Sequence, residues 1–170
     1  MAGVEFTTMA VAQGKTWEEW SDCYRYLSTH HAVDIIGTTY DIEFDVPGYF
    51  ASPVDTISDT RKKMWRRIFL FQKLKDLGWL VDKKHHLLGS SDPYELYFQS
   101  SVKQIETMDT SIPFVEGLQL HTFDRNSFKN FNKLKRPIDY FDCNPSEQHF
   151  QNSFSLNIFR MKMWAQGRDF

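Results

Sequence analysis

Four carboxylates, Asp34, Asp41, Glu43 and Asp45, stand ahead of a strongly basic stretch. Alternation along an extended chain puts Asp41, Glu43 and Asp45 on one side, the convergence a two-metal nuclease needs to hold its ions. The solvated face of a strand has the same pattern, and the lysine at short spacing that would complete a nuclease motif is missing. The sulfur and imidazole groups offer less. Cys23 with His30 and His31, or Cys143 with His149, lacks the paired close spacing of a zinc site. Neither cysteine lies in a recognisable nucleophile motif, and the sequence has no Gly-rich phosphate loop. These residue types predict no catalytic centre, metal or cofactor.

The basic stretch is the strongest signal. Between Arg61 and His86 stand Arg61, Lys62, Lys63, Arg66, Arg67, Lys73, Lys75, Lys83 and Lys84, against only Asp76 and Asp82. Residues 1–60 carry two basic and ten acidic side chains, a net of −8; residues 61–86 carry nine and two, a net of +7. Residues 87–124 come to −5 and residues 125–170 to +4, so the overall −2 hides a sharply sorted charge. Sorting of this kind predicts a face for an anionic partner and an acidic face for association with another copy. Trp65 and Trp79 lie nearby, and aromatics beside Lys and Arg suit single-stranded nucleic acid or an anionic membrane surface.

With 170 residues, 41% hydrophobic and 25% charged, the chain has the size and composition of one folded domain. Aromatic content of 16% predicts a dense core together with exposed contact surface. Two cysteines cannot make a disulfide framework, which favours a reducing compartment. Residues 1–13 do not have the character of a signal peptide, and no apolar run approaches the ~20 residues of a membrane span.

The elements that would position these groups follow from periodicity. A strand is predicted at Val4–Val11, then a helix from Trp17 to His31 opened by a Thr16/Glu19 capping box, with Trp17, Trp20, Tyr24 and Leu27 as its buried stripe. Val33–Val46 is predicted to be extended, with Tyr40, Ile42, Phe44 and Val46 opposite the acids. A helix over 60–77, stopped by Gly78, places Lys62, Lys63, Arg66, Arg67 and Lys73 on a shared side, with Met64, Trp65, Ile68, Phe71, Leu74 and Leu77 towards the core; the all-apolar run Ile68–Phe71 leaves a strand over 66–72 open as the rival. Trp79–Leu88 and Tyr94–Val102 are predicted as strands joined by a hairpin through Gly89–Pro93, and Phe114–Phe123 as a further strand. Arg125–Arg136 fits a short helix or a surface loop, and Phe150–Trp164 has mixed periodicity. The sum is a single α+β domain over 1–170, a mostly antiparallel sheet with two or three packed helices.

A family resemblance joins these pieces. The run Glu5-Phe6-Thr7-Thr8-Met9-Ala10-Val11, a short turn, Trp17…Trp20-Ser21-Asp22, and a helix ending near Ile35-Ile36-Gly37 resemble the opening of vesiculovirus matrix proteins. Arg66-Arg67-Ile68-Phe69-Leu70-Phe71-Gln72 and Phe114-Val115-Glu116-Gly117-Leu118-Gln119 are similar to two stretches of lyssavirus matrix proteins, in the same order. The chain is also similar in length to the short matrix proteins of plant cytorhabdoviruses. The resemblance implies a rhabdovirus matrix protein without enzymatic activity. Such a protein self-associates, condenses the viral ribonucleoprotein and bridges it to the envelope membrane, with a viral glycoprotein as a further partner. It also implies a place in the virion, the host cytoplasm and the membrane periphery. A long basic N-terminal arm and a Pro-Pro-x-Tyr motif, both found in animal-virus members, are not present here.

On this reading Arg61, Lys62, Lys63, Arg66, Arg67, Lys73, Lys83 and Lys84 contact phosphate of RNA or of lipid head groups. Phe150, Phe154, Phe159 and Trp164 contribute to self-association. Two other readings remain open: a winged-helix-like nucleic-acid-binding regulator, with helix 60–77 ahead of a hairpin starting at Lys83-Lys84, and a metal-dependent nuclease using Asp41 and Glu43.

Overall fold

The computed structural model of the chain describes residues 6–49, 58–90, 92–124 and 147–168. Strands and helices alternate: β1 (Met9–Val11), α1 (Trp17–Thr29), β2 (Ile35–Thr39), α2 (Asp59–Asp76), β3 (Lys84–Leu88), α3 (Glu95–Gln99) and β4 (Ile105–Met108). Two further helices follow, α4 (Ile112–Leu118) and α5 (Gln148–Ala165). The four strands form one sheet in the order β1-β2-β3-β4, and all three pairings are parallel. The expectation of a mostly antiparallel sheet is therefore overturned: this is an α/β arrangement. Parallel neighbours need long crossover connections, and here a helix occupies each one.

Local chemistry explains most of these elements. Thr16 Oγ1 accepts the Glu19 amide at 3.2 Å, while Glu19 Oε2 accepts the Lys15 amide at 2.8 Å, which fixes the start of α1. At the other end of α2, Gly78 takes φ +66°. Its amide donates to Lys75 O at 3.0 Å and the Trp79 amide donates to Leu74 O at 2.8 Å, the paired bonds of a Schellman stop. A residue with a Cβ would be strained at that φ.

Two expected strands are helices. In the first, Asp92 Oδ1 accepts the Tyr94 amide at 3.0 Å and Asp92 O accepts the Glu95 amide at 3.2 Å, turning the chain into α3. The Tyr and Phe of Tyr94–Val102 favour a strand on propensity, and the tertiary partners of Glu95 and Asp92 override it. The connection after Leu88 thus leads into a helix, and the hairpin expected through Gly89–Pro93 is not formed. In the second, Pro113 sits in the first turn of α4, where its missing N–H costs nothing. Gly117 there lets α4 approach α5 closely: a Cβ on it would meet the Phe154 backbone at 3.2 Å. The expected extension over 33–46 is β2 followed by a non-ladder segment that keeps its alternation. Ile42 and Val46 are buried, while Asp41, Glu43 and Asp45 face outward. Arg125–Arg136 lies outside the described residues.

Alternation across the strands gives the sheet two unlike faces. Ile36, Thr38, His85 and Leu87 are fully buried beneath α1 and α2, in a cluster with Trp20, Tyr24, Leu70, Phe71 and Leu74. A second cluster joins Tyr94, Ile112, Phe123, Met161 and Trp164 across α3, α4 and α5. The register places Met9, Ile35 and Lys84 together on the opposite face, followed by Val11, Gly37 and His86 and then Thr39 and Leu88.

Candidate functional site

Arg67 stands at the meeting point of α2, α3 and the C-terminal ends of β2 and β3. Its guanidinium has five N–H donors, and each one is used. Nε and Nη2 donate to the two carboxylate oxygens of Glu95 at 2.5 and 2.6 Å. Nη1 donates to Thr38 O and Leu88 O, both at 3.1 Å, and Nη2 also donates to Gly89 O at 2.7 Å. Neither side chain of the Arg67–Glu95 pair has any solvent exposure. Gln99 Nε2 donates to Glu95 Oε1 at 2.8 Å and completes its surroundings. Parallel α/β sheets generally bind ligands beyond the carboxyl ends of their strands. Here that position above β2 and β3 is filled by the protein's own arginine.

Lys83 has a comparable place at the other end of the sheet. Its Nζ donates to Leu27 O, His30 O and Val33 O at 3.1, 2.7 and 2.8 Å, so all three ammonium protons serve carbonyls in the last turn of α1 and just beyond it. Four further members of the block form ion pairs. Arg61 Nε meets Asp92 at 2.9 Å, Lys63 meets Asp41 at 2.5 Å, Arg66 meets Asp45 at 3.2 Å, and Lys84 meets Glu106 at 3.0 Å. In each case, as with Arg67 and Glu95, a cation from 61–86 pairs with an acid from 1–60 or 87–124. The charge sorting seen in the sequence is largely resolved inside the fold, with the acidic flanks serving as the block's anionic partner. Lys62, Lys73 and Lys75 form no ion pair among the described residues.

The environments differ in strength. Burial pushes the Asp92 carboxyl up against the pull of Arg61, whereas the hydrogen bond to Asp41 raises the Lys63 ammonium. His85 is buried beneath α1. Its Nδ1 lies 2.8 Å from Lys83 O, which can only accept, so Nδ1 carries the proton and Nε2 accepts from the Tyr24 hydroxyl at 3.0 Å. Burial depresses His85 to about 4, with the Lys83 carbonyl opposing it, so the ring is neutral at pH 7.

The other expected site residues separate in the same way. Phe150 and Trp164 are buried, Phe154 is half-buried against Gly117 of α4, and only Phe159, 57% exposed, faces outward. Of the acids proposed for metal chemistry, Asp41 and Asp45 are tied to α2 by Lys63 and Arg66. Among the described residues no group of three or more His, Cys, Asp or Glu side chains is placed to hold a metal ion. No described helix is long and apolar enough to cross a membrane. Glu95, Asp92 and Gln99 were not singled out by the sequence pattern, and Arg67 was expected on the outward side with Lys62, Lys63, Arg66 and Lys73, where the structure buries it. It occupies a core place in the Met64–Arg67–Phe71–Leu74 spacing, and an arginine there signals a buried partner.

The open sheet face is the surface these elements leave available. Val11 and Leu88 close over Gly37, where an added Cβ would lie 3.1 Å from each. Met9 is 48% exposed, and Val11, Ile35 and Leu88 are half-buried and belong to neither hydrophobic cluster. Around this apolar centre lie the Lys84–Glu106 pair and His86, whose ring nitrogens meet Thr107 Oγ1 at 2.7 Å and Asp109 Oδ1 at 3.0 Å. No protein-family model matches the chain, and comparison with curated proteins and with solved structures finds no match. Fold and surface define a parallel α/β domain with an internally neutralised basic helix and one open sheet face. The matrix resemblance rests on its short motifs alone.

Proposed function

We propose that the protein is a non-enzymatic assembly protein that associates with a second copy of itself through the open face of its sheet. The observation that carries this reading is the apolar centre at Met9, Val11, Ile35 and Leu88, which no described element covers. All-parallel sheets are almost always buried on both faces, so a bare one favours a partner. The rim supports a two-fold contact in particular. It carries both signs, Lys84 and His86 beside Glu106 and Asp109, and a self-complementary patch needs both. Self-association is also what the matrix resemblance implies. In this reading the 61–86 block holds the fold together, and contact with a nucleocapsid or an anionic membrane falls to Lys62, Lys73 and Lys75.

The test is sedimentation velocity of the wild type and of Ile35→Asp across a wide concentration range. The wild type is expected to associate. The variant places an unpaired carboxylate at the centre of the patch and is expected to stay monomeric with an unchanged circular dichroism spectrum. A wild type that remains monomeric throughout would remove the basis for this reading.

A further inference from the structure

A cleft of about 610 Å³ lies where the two hydrophobic clusters meet, within the size range of small-molecule sites (roughly 300–1,000 Å³). Val102, Ile105 and Met108 line it from the first cluster, and Leu96 and Met161 from the second. Pro113 of α4 and Ile158 of α5 complete an apolar wall. Its charged lining is unequal. Glu106 is already paired with Lys84, whereas Lys103 and Lys162, both exposed, have no acid partner among the described residues. Gln99, only 3% exposed, belongs to the inner wall. It gives its Nε2 to Glu95 at 2.8 Å, which holds the side chain in place.

We propose that this cleft binds a single-chain acyl carboxylate, with the tail between β4 and α5 and the head group on Lys103 and Lys162. The apolar walls remove the tail from water, and the two ammonium groups match the charge of the head. The cleft shares Glu106 and Thr107 with the rim of the sheet face, but its apolar wall and both lysines lie apart from Met9, Val11, Ile35 and Leu88.

Isothermal titration of the full chain with decanoate tests it. The acid is expected to give saturable binding. Ile158→Trp fills the cleft and should abolish that binding. The pair Lys103→Gln and Lys162→Gln should weaken it without changing the thermal unfolding midpoint. Absence of saturable binding to the wild type would overturn the proposal, as would binding that survives in a folded Ile158→Trp variant. Binding to anionic phospholipid vesicles without binding to the free acid would also overturn it, since that result describes a membrane surface and not a cleft.

Discussion

Arg67 and Glu95 face each other across α2 and α3 as a bidentate pair with both side chains fully out of solvent, at 2.5 and 2.6 Å. The remaining guanidinium protons go to three carbonyls at the ends of β2 and β3. One side chain thus links two helices to two parallel strands.

This linkage predicts an asymmetric response to substitution. Glu95→Ala leaves a buried, uncompensated guanidinium and should cost about 3–5 kcal/mol of unfolding free energy. Replacing both partners, as Arg67→Met with Glu95→Leu, should recover only part of that loss. Thr38 and Gly89 would then lose the Arg67 donor to their carbonyls, at roughly 1–3 kcal/mol for each one left unsatisfied, while Leu88 O keeps the Tyr40 amide at 3.0 Å. Urea denaturation of the two variants measures this. Full recovery in the double variant would show that the carbonyl bonds contribute nothing.

Lys83 predicts a contrast within the basic block. Lys83→Met removes three bonds to carbonyls in the last turn of α1 and just beyond it, each of the charge-assisted kind worth about 1.5–3 kcal/mol when buried. The side chain is only partly buried, so a total loss of roughly 2 kcal/mol is expected. Lys62→Gln and Lys73→Gln should stay within about 0.5 kcal/mol of the wild type. Thermal melts of the three variants decide it, and equal small effects would place Lys83 with the ordinary surface lysines.

This contrast shows how far the sequence could be read. α1 and α2 were legible, because a capping box at Thr16, a Gly stop at Gly78 and aromatic residues at helical spacing are local signals. The rotation of α2 was not. Placing Arg66 and Arg67 on one outward face treats adjacent residues as neighbours, although they lie ~100° apart on a helix. Only the apolar spacing through Met64, Phe71 and Leu74 separates them. The parallel sheet was missed at α3, where Tyr94, Tyr97 and Phe98 have strand propensity. What makes that segment helical is the long-range pull of Arg67 on Glu95 and of Arg61 on Asp92. No period within the segment records those contacts.

His85 sets an acid limit on stability. Its depressed folded value means that the unfolded chain binds the proton more readily. This stabilisation is therefore fully present above about pH 6.5 and is lost as pH falls towards about 4. The loss amounts to roughly 3 kcal/mol, at about 1.4 kcal/mol per pH unit. His85→Phe should be less stable near neutral pH, because Tyr24 loses its acceptor, and should show a flatter pH profile between 6.5 and 4. An unchanged slope in chemical denaturation across that window would rule His85 out as its source.

Gly78 gives a local check on the fold. Gly78→Ala puts a Cβ on a residue with φ +66° and should lower stability by about 1 kcal/mol, with no change in self-association. A neutral result by differential scanning calorimetry would show that the turn after α2 relaxes freely.

The proposed assembly surface can be tested directly at Met9, which is 48% exposed on the open sheet face. Hydroxyl-radical footprinting at low and high protein concentration, read by mass spectrometry, compares its oxidation with that of Phe159 on the outer side of α5. Association through the sheet predicts strong protection of Met9 as oligomers form, with Phe159 unaffected. Oligomers that leave Met9 fully reactive, or that protect Phe159 instead, would contradict the account.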